Sequence, residues 1–184
     1  MITDEKTQAA RYRLEQQCSN YASVFLKRLR AADTHTAHIR HIMPIMFEDA
    51  SNGQDPSGRV DYNGDQACIY FKLPVEIENM SFSERLQRLI RHEVIHFYLW
   101  RHYPGYDGDN SPLFWALCHI FDAGAYKEIG NEHDKKAYNR FLSRYSEKKS
   151  NSENLSWAFR CCVLPKSNQK RAHAARTKPG SSKF

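Results

Sequence analysis

Residues 86–100 read LQRLIRHEVIHFYLW and contain the clearest helical pattern and the most specific chemical motif of the chain. Apolar side chains recur there at steps of three and four, as on the buried face of a helix: Leu86, Leu89, Ile90, Val94 and Ile95. Ser81, with Glu84 three residues later, has the spacing of a capping box. We therefore predict a helix from about residue 81 to residue 101, which a Pro-Gly pair then ends.

This helix carries an HExxH motif, residues 92–96. Residues four apart lie on one helical face, so the imidazoles of His92 and His96 can reach one metal ion. Catalytic zinc sites use three protein ligands and a water. Glu93 can reach that water, first as general base and then as proton carrier to a leaving amine. The motif predicts a catalytic zinc site, whereas the alternative interpretation makes both histidines ordinary surface or core residues.

The third ligand is not identified by spacing alone. His102 is nearest in sequence, but it points away from the ligand face if the helix extends that far. The loop after the helix offers Asp107, Asp109 and Asn110, and carboxylates are better zinc ligands than neutral amides. His119, on the next predicted helix, can also return to the site. Because Asp and Asn favour turns, the loop residues have an ordinary structural explanation as well.

The segments before this helix predict an α+β domain in which the strands are grouped. We expect a long amphipathic helix from about Asp4 to Ala32, with its apolar stripe at Leu14, Cys18, Tyr21, Phe25 and Leu29. His38–Phe47 is predicted as a strand. Arg59–Tyr62 and Ala67–Leu73 flank Asn63-Gly64-Asp65, a hairpin signal. Together these segments predict a three-stranded antiparallel sheet.

Two further helices are predicted after the motif. Ser111 as cap and Pro112 in the first turn begin one helix that runs to Phe121. The other, from about Asn131 to Tyr145, closes a domain of residues 1–146. Residues 147–184 are rich in Ser, Asn, Lys and Arg, and we expect them to form a loosely ordered basic tail.

The net charge of +6 is distributed unevenly along the 184 residues. Residues 144–184 contain ten Lys and Arg residues against two acidic ones, whereas the rest of the chain is close to neutral. Such a tail can bind nucleic acid through its phosphates, or it can simply be a solvated segment. The five cysteines lack disulfide-scaffold spacing, and no secretory or membrane-spanning stretch is present, so we expect a cytoplasmic protein.

Residues 58–123 resemble the SprT-like metallopeptidases, the group that includes Spartan-type proteases. The resemblance is carried by the hairpin SGRVDYNGDQACIYFKLP, the helix LQRLIRHEVIHFYLW, the loop PGY and the element SPLFW. It implies a zincin-like fold, zinc bound by His92 and His96, and Glu93 as the catalytic residue of an endopeptidase. The family's third ligand is a histidine four or five residues before the Phe that opens the next helix. Phe114 takes that Phe position, so the ligand position falls on Asp109 or Asn110.

The sequence departs from the family in two places. Asp109 replaces the third histidine as the expected metal ligand, and the four-cysteine zinc ribbon of several members is missing, since this region has only Cys161-Cys162. We therefore predict a zinc endopeptidase that acts on nucleic-acid-associated protein. The alternative is a catalytically weakened SprT-like protein that serves as a nucleic-acid-binding or adapter protein. A third interpretation is a metal-stabilised structural domain.

Overall fold

The computed structural model describes residues 5–33, 42–51, 55–63, 66–76, 79–103, 106–124 and 132–163. Five α-helices and three strands occur there, in the order α1 Glu5–Ala32, β1 Ile45–Asp49, β2 Ser57–Asn63, β3 Gln66–Leu73, α2 Glu84–His102, α3 Pro112–Phe121, α4 Glu132–Leu142 and α5 Asn151–Cys162. A short 3-10 helix, Gly108–Asn110, lies between α2 and α3. The predicted α+β class is confirmed, but three helices rather than two follow the HExxH helix.

Helices α1 and α2 pack against each other in the main core. The predicted stripe of α1 is buried except at Tyr21, which lies half-buried at its edge. Just beyond α1, the fully buried Asp33 carboxylate accepts hydrogen bonds from the hydroxyls of Tyr98 on α2 and Tyr103 after it. These bonds satisfy a carboxylate that would otherwise be costly to bury, and they fix the C-terminal end of α2.

The predicted N-cap of α2 is wrong by two residues. Ser83, rather than Ser81, precedes the first helical residue in an extended conformation, and its side chain accepts a hydrogen bond from the Leu86 amide at 3.2 Å. This is the ordinary N-cap arrangement. The capping-box spacing to Glu84 favoured Ser81, but the helix begins at Glu84 itself, so the serine directly before it is the cap.

The sheet is mixed, with strand order β1-β3-β2. β2 pairs with β3 antiparallel, as the hairpin signal predicted, but β1 pairs with β3 in parallel. The expectation of an all-antiparallel sheet is therefore wrong for β1. A two-residue turn fixes the direction of the strands it joins, whereas the longer link between β1 and β2 lets β1 lie on the far side of β3. Strand β1 also begins at Ile45, after residues 42–44, while residues 38–41 lie outside the described part.

The expectation of loose order after residue 147 is wrong for residues 151–162, which form α5. Its first turn is a capping box between Ser150 and Glu153. Leu155, Ala158 and Cys162 are buried on the side that packs against α3 and α4. Apolar residues such as Trp157 and Phe159 also stand between the buried positions, so no single apolar stripe is visible, and the segments on both sides are polar and basic. Residues 164–184 lie outside the described part of the chain.

The elements meet so that α2 lies beneath the edge strand β2, with the 3-10 helix and the start of α3 beside it. Within the described residues, none of the helices combines the length and the apolar character needed to cross a membrane.

Candidate metal centre

The HExxH residues lie on the interior side of α2. His92 is 6% exposed and Glu93 5%, and 11% of the His96 side chain is exposed. Val94 and Ile95 are fully buried on the side of α2 that faces the core. The helix is therefore held by apolar packing around the motif, which leaves the imidazoles directed toward one point.

Three donor atoms converge at that point. The Nε2 atoms of His92 and His96 are 3.0 Å apart, and Asp109 Oδ1 lies 3.1 Å from His96 Nε2 and 3.9 Å from His92 Nε2. Zinc bonds of about 2.0–2.1 Å at tetrahedral angles place ligand atoms roughly 3.3 Å apart. Two imidazoles and one carboxylate also form a donor set that zinc accepts. Among the described residues, His92, His96 and Asp109 therefore form a group that can hold a metal ion.

The other ring nitrogens are held by hydrogen bonds. His92 Nδ1 contacts the main-chain carbonyl of Gly124 at 2.5 Å, and His96 Nδ1 contacts the Tyr106 hydroxyl. Because a carbonyl only accepts, His92 must carry its proton on Nδ1, which leaves the Nε2 lone pair directed toward the other donors. Burial keeps the pKa of Tyr106 well above its usual range, so this hydroxyl remains protonated. Such outer partners orient metal-binding histidines.

Asp109 is placed by the short 3-10 helix Gly108–Asn110. Gly108 adopts a left-handed backbone with φ of 53°, which glycine tolerates without strain. Trp115, in the first turn of α3, donates its indole N–H to the Asp109 carbonyl at 2.8 Å. The loop is thereby tied to α3, and the Asp109 side chain reaches the two histidines.

The other candidates for the third ligand lie elsewhere. Asp107 and Asn110 are exposed, and Asp107 does not belong to the converging group. His119 is exposed on α3 and packs its ring against Tyr145, with 4.4 Å between centroids. His102 packs against Tyr98. Of the residues weighed from the sequence, Asp109 is the one that the fold brings to His92 and His96.

Glu93 lies beside the group rather than in it. Burial, and then the nearby charge of Asp109, raise the pKa of Glu93 to about 8. A carboxyl with that pKa can hold or release a proton near neutral pH. The side chain borders a cavity of about 280 Å³ whose wall includes Gly58, Arg85, Leu89, His92, Glu93 and Asp109. The cavity gives access to the donor atoms and Glu93 from one side.

Gly58 of β2 lies directly against Glu93. A Cβ at this position would be 2.7 Å from Glu93 Cγ and 3.0 Å from its Oε1, closer than side-chain atoms normally approach. Only a glycine allows the edge strand to approach this carboxylate so closely. The close approach fixes the position of the Glu93 side chain between strand and helix.

Phe114 supports both imidazoles. Its ring stacks on His96 with 4.0 Å between centroids and meets His92 edge to face at 4.9 Å. From the sequence, Phe114 served only to locate the third ligand, and neither Tyr106 nor Gly124 was predicted to belong to the site. Tyr106 is part of the quoted PGY element, which was the one sequence feature that could have indicated its role. Nothing in the sequence marks the Gly124 carbonyl.

The chain was compared with known proteins in three ways. No protein-family model, no curated protein and no solved structure matches it. The likeness to SprT-like metallopeptidases therefore stays a prediction from the residues quoted above. The geometry of His92, His96, Asp109 and Glu93 carries the functional argument.

Proposed function

We propose that the protein is a zinc-dependent endopeptidase of the SprT-like kind, with His92, His96 and Asp109 as metal ligands and Glu93 as general base. The observation that carries this proposal is the convergence of two Nε2 atoms and one carboxylate oxygen beside a buried glutamate. Structural zinc sites use four protein ligands, whereas the three found among the described residues favour a catalytic site with an open position.

A zinc ion at this site would lower the pKa of water and polarise a peptide carbonyl. Glu93 accepts the proton of the attacking water and passes it to the leaving amine. Burial raises the pKa of Glu93 in the metal-free site, and the charge of a bound zinc ion would lower it again, which favours the carboxylate form that accepts the proton. Gly58 and the helix hold the Glu93 side chain in place while it does so.

An extended peptide can reach the site along β2. This strand is at the edge of the sheet and pairs with β3 on one side. A polypeptide can add to such an edge through main-chain hydrogen bonds, which recognise protein without requiring one sequence. The position of β2 at the edge of the described sheet and the adjoining cavity support protein, rather than a small metabolite, as the substrate.

Nucleic acid is the proposed partner near which cleavage occurs, in the cytoplasm. Exposed cationic side chains outnumber exposed acidic ones on α4, α5 and the segment between them, six against three: Lys136, Arg140, Arg144, Lys148, Lys149 and Arg160 against Glu132, Glu147 and Glu153. Arg144 stacks over the Trp157 ring at 4.5 Å, and surfaces that bind single-stranded nucleic acid combine positive charge with aromatic rings. Residues 164–184 add six Lys and Arg residues without an acidic one.

The second candidate is an adapter that binds nucleic acid and has a weakened metal site. It is favoured by one observation, the carboxylate at the position where the resemblance implies histidine, with its unequal distances to the two imidazoles. DNA binding that falls steeply with salt, in a protein with no metal-dependent cleavage, would select this candidate.

Cleavage of an unfolded protein such as denatured casein tests the enzyme directly. Because Glu93 is the general base, we expect Glu93→Gln to lower the rate by about 10²-fold or more. The zinc content should stay unchanged, since Glu93 is not a ligand. Glu132→Gln, at an exposed position on α4, is the matched control and should cleave as the parent does. Equal rates in the parent and in Glu93→Gln would show that this mechanism is wrong.

A further inference from the structure

Arg91 is a buried cation next to the first histidine of the motif. It is 8% exposed, and its guanidinium contacts α1, the first turn of its own helix α2 and the end of α3. Nε and Nη2 donate to the main-chain carbonyl of Asp122 at 3.0 and 2.7 Å. Nη2 also reaches the Glu84 carboxylate at 2.8 Å, and Nη1 donates to the Tyr21 hydroxyl. An arginine that only forms ion pairs contacts carboxylate side chains, whereas Arg91 also donates two hydrogen bonds to a main-chain carbonyl.

The carbonyl that Arg91 holds stands where α3 ends. Asp122 is the C-cap, in the left-handed conformation with φ of 50° and ψ of 45°, and its amide donates to Cys118. The next amide, of Ala123, also returns to the Cys118 carbonyl, at 2.9 Å. The chain therefore turns sharply at Asp122, and Arg91 binds it at the turn.

Two residues after this turn, the Gly124 carbonyl accepts a hydrogen bond from the Nδ1–H group of His92. Arg91 and His92, adjacent on α2, thus bind the same short segment at Asp122 and at Gly124. Since the proton on Nδ1 leaves Nε2 available, whatever fixes the Gly124 carbonyl also fixes the tautomer and direction of the ligand.

We infer that Arg91 is a positioning residue for the metal centre, which holds residues 122–124 so that Gly124 keeps His92 in the tautomer protonated on Nδ1. The relevance of this tautomer to catalysis rests on the proposed function, but the hydrogen-bond relay itself does not require a metal. Arg91 touches none of the three proposed ligands and acts only through the main chain.

Arg88 provides a matched control from the same helix. Arg91 also reaches the Asp122 carboxylate, at 3.3 Å. Arg88 contacts the carboxylates of Asp122 at 3.1 Å and of Glu84 at 3.8 Å as well, but it is half exposed and all these contacts are to side chains. Arg88→Gln therefore removes similar ion pairs without releasing the Asp122 carbonyl. A role limited to surface electrostatics would give the two arginine variants similar behaviour.

The test is nitrogen NMR of histidine-labelled, metal-free protein, with the His92 signal assigned by its loss in His92→Gln. We expect the Nδ1-protonated pattern in the parent and in Arg88→Gln. In Arg91→Gln, the proton should shift toward Nε2 and the Nδ1 proton should exchange faster. Should Arg91→Gln fail to fold, Arg91→Lys, which keeps the charge but lacks the two-donor geometry, should show the same shift.

Three results would overturn the inference. The first is an Nδ1-protonated NMR pattern of His92 that stays unchanged in the folded Arg91 variant, even if that variant has a lower melting temperature. The second is an equal loss of this pattern in Arg88→Gln. The third is the absence of this pattern from the parent. Zinc titration separates this inference from the proposed function, because we expect affinity in Arg91→Gln to fall by about tenfold. The proposed enzyme would be wrong and the hydrogen-bond relay would stand if the parent binds no zinc, shows the Nδ1-protonated pattern, and loses this pattern on substitution of Arg91.

Discussion

The proposed metal centre has a helix half and a loop half, and the fold holds them differently. His92 and His96 project from α2, with about a tenth or less of each side chain exposed, and Phe114 packs against both rings. Asp109 stands on a single turn of 3-10 helix, with about a third of its side chain exposed. The helix half is therefore built by the core, whereas the loop half depends on local contacts and is easier to change without unfolding the protein.

The largest expected effect comes from damaging the support of the helix half. Phe114→Ala removes a fully buried ring, so we expect the free energy of unfolding to fall by about 3–5 kcal/mol. Zinc affinity should fall as well, because both imidazoles lose the same neighbour. Denaturant unfolding and zinc titration measure the two quantities.

Phe141→Ala is the matched control for that variant. Phe141 is also fully buried, but its ring contacts His119, Tyr138 and Tyr145 instead of the proposed ligands. It should lose similar stability and keep its zinc affinity wherever the protein is folded. If the two variants lose zinc affinity equally, the helix half does not depend on Phe114 in particular.

A smaller effect is expected where the edge strand meets the helix half. In Gly58→Ala, the added methyl group must displace Glu93, so we expect cleavage to slow by up to about 10²-fold. Zinc affinity should change little, since the ligands are not touched. Gln66→Ala, at an exposed position of β3 that does not line the cavity, should behave as the parent. Unchanged cleavage by Gly58→Ala would mean that the position of Glu93 is unimportant.

The smallest effect concerns the loop half. Trp115→Phe removes the indole hydrogen bond to the Asp109 carbonyl and should cost about 1 kcal/mol of stability. We expect a several-fold loss of zinc affinity, because the turn that carries Asp109 becomes less fixed. Trp157→Phe removes an equivalent bond, to the Phe141 carbonyl, away from the site. Zinc affinity that falls equally in both variants would contradict a specific role for the loop contact.

The two halves also differ in how far the sequence predicts them. The positions of His92, Glu93 and His96 follow from the periodicity of one helix, which is a local property. Spacing left Asp107, Asp109, Asn110 and His119 open, and Asp109 was preferred only through a resemblance. The return of a loop to a helix depends on contacts such as that of Trp115, which no local pattern encodes.

Long-range contacts explain the other features of the structure that the sequence did not predict. The hairpin of β2 and β3 has a turn signal, whereas the parallel pairing of β1 has none, because strand alternation does not specify direction. Helix α5 was missed because apolar residues occur on more than one of its faces and polar, basic segments flank it, so no single apolar stripe marks it. The carbonyl of Gly124 could not be predicted as a partner of His92, since any residue supplies the same group.

The most direct test of the central claim is the amount of zinc bound per chain, measured by mass spectrometry after reconstitution. The parent should hold about one zinc, and His96→Ala and Asp109→Ala should lose it. Asp107→Ala, the matched control on the same loop, should keep it. The three-ligand site would be contradicted by a parent that binds no zinc, or by an Asp109→Ala variant that binds zinc as tightly as the parent.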